Sequence, residues 1–97
     1  MEIIVETYVA HGEPSSARLR ARPLPGQGVD TSLHVECSRA MRHEHPAGSL
    51  FRLVVKRIYR KGTPLLYARP TEQFELVSEE EAQRFISTMY DNTGRKN

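Results

Sequence analysis

"SLFRLVVKRIYR" (49–60) is the longest run of strand-forming residues in the chain, and the way its sides divide decides the fold. Alternate residues of a strand face opposite sides of a sheet. One side therefore carries Arg52, Val54, Lys56, Ile58 and Arg60, with cations and aliphatics interleaved. The centre, "LVV" (53–55), is apolar on both sides, which predicts a central strand covered on both faces. "KGTP" (61–64) reads as a tight turn. "LLYAR" (65–69) returns as a short strand bracketed by Pro64 and Pro70, as suits an edge.

Upstream lie three further strands. "EIIVETYVA" (2–10) is rich in β-branched and aromatic residues. "ARLRARP" (17–23) sets Ala17, Leu19 and Ala21 against Arg18, Arg20 and Arg22. "TSLHVECS" (31–38) alternates again, with Leu33, Val35 and Cys37 on its apolar side. "HGEPSS" (11–16) is a turn and "LPGQGVD" (24–30) a flexible loop.

Downstream, "VSEEEAQRFISTMY" (77–90) opens with Ser78 and Glu81 in the S-x-x-E pattern of a capping box. Three glutamates stand at the positive end of the helix dipole. Ala82, Phe85, Ile86 and Met89 recur at helical spacing as one apolar stripe, and Asn92 and Gly94 are suited to end the helix. The expected fold is α+β: about five mostly antiparallel strands, with one C-terminal helix packed on one face. One domain spans 1–97, with 91–97 a frayed tail.

Composition sets the limits on function. Ninety-seven residues suffice for one core and leave little room for a deep enclosed pocket. A net charge of +2 is far below that of a dedicated nucleic-acid binder. A single cysteine excludes an internal disulfide and fits a reducing cytoplasm. "MEIIVETYVA" has no cationic start, so it does not read as a secretory signal. No apolar run approaches the ~20 residues of a membrane helix, and no membrane partner is expected.

"SRAMRHEHPAG" (38–48) is the densest collection of reactive side chains. Cys37, His43 and His45 are of the types that ligate zinc, but paired C-x-x-C spacing and a fourth ligand are missing. The stretch is expected to be a loop, with at most one helical turn at 38–43, holding no metal and no cofactor. Cys37 falls on an apolar strand face, where a thiol is usually inert. No residue can be named for catalysis.

What remains is the sheet side bearing Arg18, Arg20 and Arg22 on one strand and Arg52, Lys56 and Arg60 on another. Tyr8, Val54, Ile58 and Leu66 are placed on the same side, next to Ile4. One helix covers one side only, so a half-apolar, half-cationic second side must curl into a partial barrel or meet a partner. The leading expectation is a self-associating binding module, a homodimer with Val54, Ile58, Tyr8 and Leu66 in its seam. The alternative is a binder of single-stranded nucleic acid or another anionic ligand through the arginine rows. A third reading is a small enzyme with a pocket at a dimer seam. Glu6 and Glu36 are placed to form ordinary cross-strand ion pairs with these arginines.

Overall fold

A computed structural model describes residues 1–10 and 19–90. The turn expected at 11–16, the positions Ala17 and Arg18, and the tail 91–97 lie outside the described residues. The elements run β1 (Glu2–Val9), β2 (Leu19–Pro23), β3 (Val35–Glu36), α1 (Arg39–His43), β4 (Leu50–Val54), β5 (Lys56–Arg60), β6 (Thr63–Tyr67), β7 (Phe74–Val77) and α2 (Glu79–Met89).

The seven strands form one sheet in the order β5-β6-β3-β2-β1-β4-β7. Every pairing is antiparallel except β3 with β6. β4 and β5 are separated in the chain only by Val55, yet β4 pairs with β1 and β7 while β5 pairs with β6. The strand at 50–60 therefore joins two distant parts of the sheet. The path β1-β2-β3-β6-β5/β4-β1 returns to its start, and the sheet curls into a ring of five members. β7 is added outside that ring, on β4.

Among the described residues, the count thus corrects the expectation of five strands and one helix to seven and two. The segment 49–60 divides because its halves meet different partners. β7 has only four residues, too few for an alternating pattern to stand out beside the helix start. The short turn foreseen at 38–43 is a five-residue helix whose N-cap Ser38 accepts from the Met41 N–H at 3.1 Å. Between β5 and β6, Lys61 and Gly62 both take positive φ, 54° and 81°, as a two-residue hairpin turn requires.

The ring encloses the main core. Ile3, Val5, Ala21, Val35, Phe51, Leu53, Val55, Leu66 and Ala68 point inward, and Met41 of α1 joins them from the connection. A second cluster lies on the outer side, where Ala82 and Ile86 of α2 pack on Ile4, with Leu50, Val77 and Phe85 at its margin. β1 is therefore the strand covered on both faces: Ile3, Ile4 and Val5 are all fully buried. The same was expected of "LVV", but Val54 is 44% exposed between buried Leu53 and Val55.

The capping box forms as its spacing demands. Ser78 Oγ accepts from the Glu81 N–H at 3.1 Å, and Glu81 Oε1 accepts from the Ser78 N–H at 2.8 Å. The loop read as flexible is tied down instead. Gln27 is 1% exposed and bonded to the backbone of β1. Gly26 approaches α2 with φ +92°, and a Cβ there would lie 3.4 Å from Ile86 Cγ2.

Candidate functional site

Strand register decides which side chains share the uncovered part of the outer face. Tyr8 stands across from Arg20, Glu36 beside Tyr67, and Tyr67 across from Lys56. Ala21 pairs with Val35, which brings Arg20 and Glu36 side by side one step along. Tyr8, Arg20, Glu36, Tyr67 and Lys56 therefore form a row across five strands, about 19 Å long at the usual strand spacing. The neighbouring row includes Glu6 across from Arg22, and Leu65 across from Ile58.

The cations on this face are organised by acids of the same chain. Arg22 Nε lies 3.3 Å from Glu6 Oε1, and its guanidinium stacks 4.4 Å above the centre of the Tyr8 ring. Arg60 grips Glu36 with two bonds of 2.5 and 3.1 Å. That grip is the main reason the Glu36 carboxyl is held below its ordinary value, and it raises Arg60 in return. Exposed pairs of this kind contribute little to stability; here they fix where the charges stand. Among the described residues Lys56 and Lys61 make no ion pair.

The predicted residues are not all brought together. Arg20, Arg22, Lys56 and Arg60 share the open face, with Tyr8 and Ile58 half-buried among them. Arg52 lies on the same side of the sheet but beside α2, between Glu75 at 2.5 Å and Glu2 at 3.5 Å, with Phe85 5.6 Å away. Arg18 lies outside the described residues. Leu66 needs correction: it pairs with Val35 on the inner side and is fully buried, so it is no interface residue. Its neighbour Leu65 takes the outer side, because a shift of one residue exchanges the faces of a strand. Tyr67, two residues on from Leu65, shares that outer side.

Charge is unevenly spread over the outer side. Glu75 and the run Glu79, Glu80 and Glu81 stand around β7 and α2, while Arg20, Arg22, Lys56, Arg60 and Lys61 gather around β2, β5 and the hairpin turn. The small overall charge conceals this division.

"SRAMRHEHPAG" is largely structural. Met41 is fully buried, and Arg42 Nη1 donates to the Leu19 carbonyl at 2.8 Å. The His45 ring meets Phe51 edge-on at 5.1 Å. Burial pushes the Cys37 thiol up, with Arg42 opposing more weakly, so the thiolate form is disfavoured. Among the described residues, no three His, Cys, Asp or Glu side chains are grouped so as to hold a metal ion. Nor is any helix among them long and apolar enough to cross a membrane.

Compared with known proteins, the chain matches no family model, no curated protein and no solved structure.

Proposed function

We propose that the protein is a non-catalytic binding module that lays a single-stranded nucleic acid across the outer face of β2, β3, β6 and β5. The observation that carries this reading is the uncovered row in which Tyr8 and Tyr67 stand among Arg20, Lys56 and Glu36, flanked by Arg22 and Arg60. Rings and cations on one open face suit a flexible polyanion: bases stack on the rings, at ~1–3 kcal/mol each, and phosphates meet the cations. The acids around α2 stand at the other end of the outer side and orient such a strand. Glu6 and Glu36 already occupy Arg22 and Arg60, so affinity is expected to be modest.

The ring also resembles, in strand number and curl, the partly open five-stranded barrels that bind oligonucleotides on the face of their second and third strands. That is an analogy of fold; the residues carry the argument. The test is anisotropy of a labelled short oligothymidylate titrated over a range of salt. Binding should weaken with salt, with a logarithmic slope of about −0.7 per phosphate engaged, or roughly −2 for three cations. No binding at low salt, or a flat response, overturns the reading.

A second reading, self-association through Val54, Ile58 and Tyr8, is favoured by the exposure of Val54, 44%, on the same side of the sheet as Ile58. Curling weakens its premise, because the inner side covers itself. Sedimentation would decide: a dimer burying at least ~1,000 Å² should become monomer on Ile58→Asp.

A further inference from the structure

The strand at 50–60 changes partners at a point where the opposite chain does not keep pace. Its pairing with β7 stops at Leu53 across from Phe74, and its pairing with β6 starts at Lys56 across from Tyr67. Val54 and Val55 thus face the whole segment 68–73. That segment cannot follow the ladder and folds into a turn of its own, with the Glu72 N–H donating to the Arg69 carbonyl at 2.9 Å. Beside Val54 and Val55 it leaves a cavity of about 530 Å³, within the range of small-ligand sites.

Its surroundings are of two kinds. Val54, Val55 and Met1 give an apolar floor, Tyr67 a ring, and Lys56, Arg69 and Glu72 a charged rim. Lys56 makes no ion pair among the described residues, and Arg69, 73% exposed in its side chain, pairs with Glu72 at 3.3 Å. Tyr67 and Lys56 also end the row on the open face, so the cavity continues the surface assigned above.

We propose that this cavity takes one nucleotide of the bound strand, its base against Tyr67 and Val54 and its phosphate on Lys56 and Arg69. The inference rests on the single-strand reading and names a specific pocket for it. An apolar floor beside a ring accepts a flat heterocycle, and the two cations at the mouth, Lys56 and the Arg69 that Glu72 holds, accept the phosphate attached to it. This accounts for the exposed, otherwise uncovered Val54.

The test is a backbone amide NMR titration with adenosine 5′-monophosphate, with adenosine, and with oligothymidylate. It uses the wild type, Val54→Asp and, because Arg69 is exposed, Arg69→Glu as a second variant that preserves folding. The monophosphate should shift the amides of Val54, Val55, Tyr67 and Arg69, and adenosine should bind about tenfold more weakly. Both variants should abolish these shifts while oligothymidylate still binds the open face more weakly. Monophosphate shifts elsewhere, or unchanged in both variants, overturn the pocket while oligonucleotide binding keeps the face. Shifts at the pocket without oligonucleotide binding overturn the single-strand reading, and with it the strand-borne nucleotide, and leave a site for a free nucleotide.

Discussion

The Gln27 side chain serves Ile4 in place of a strand: its Oε1 accepts from the Ile4 N–H at 2.7 Å and its Nε2 donates to the Ile4 carbonyl at 2.8 Å. β2 pairs with β1 only as far as Pro23 across from Val5. Beyond that point the Leu24 N–H still donates to the Ile4 carbonyl at 3.1 Å, and the amide of Gln27 completes the pairing, donating also to the Leu24 carbonyl at 3.0 Å. Ile4 lies under α2, so this contact fixes the floor on which the helix rests.

Gln27→Leu should therefore destabilise the fold by about 1–3 kcal/mol, because it leaves the buried Ile4 N–H without a partner, while the Ile4 carbonyl keeps the Leu24 N–H at 3.1 Å. Denaturant titration measures the loss. Hydrogen exchange at the Ile4 amide should accelerate beyond the global change. An unaltered midpoint would show that water replaces the side chain.

Docking of α2 predicts an order of effects. Ile86→Ala should cost about 2–5 kcal/mol, as for a buried aliphatic. Phe85 is only half-buried, so Phe85→Ala should fall below the ~3–5 kcal/mol of a fully buried ring. Ser78→Ala should cost about 0.5–2 kcal/mol through the lost cap. Equal and negligible midpoint shifts for all three would mean that the helix is not docked.

His34 supplies a pH dependence. Partial desolvation of an otherwise exposed ring lowers its pKa, Arg20 adds to the effect, Glu36 opposes, and Arg42 and Arg60 contribute less. The folded imidazole thus releases its proton more readily than the unfolded one, near 6.5. The unfolded state binds more protons, so stability present above pH ~6.5 falls as the pH drops below it. Urea midpoints between pH 8 and about 5 should decline for the wild type and flatten for His34→Gln. Parallel curves would remove His34 from the account.

Glu36→Gln probes the open face by charge alone. Releasing Arg60 from its carboxylate should tighten oligothymidylate binding and steepen the salt slope by about 0.7 for each phosphate gained. Weaker binding would mean that the Arg60 fork, held in place by Glu36, matters more than the free cation.

The features legible in the sequence are those that near neighbours settle. Ser78 and Glu81 are three residues apart and close their box within one turn. Ala21 and Arg22 divide between core and solvent by simple alternation, and the cross-strand acids Glu6 and Glu36 do meet Arg22 and Arg60. Leu65 and Leu66 show where alternation stops helping. Both are apolar, and only the parallel pairing of Val35 with Leu66 chooses which one turns inward.

Chain order and local pattern determined that 2–9 and 50–60 extend, that 79–89 coils, and that cations and aliphatics share one side of a strand. These outcomes depend on φ/ψ preference and on side chains within a turn or two. The tertiary structure alone decided that 50–60 breaks its pairing at Val55, that Gln27 is buried against Ile4, and that 68–73 stands off the ladder to open a cavity. Each of these is a choice among partners far apart in the chain. Its free energy comes from burial and hydrogen bonds that exist only once the ring has closed.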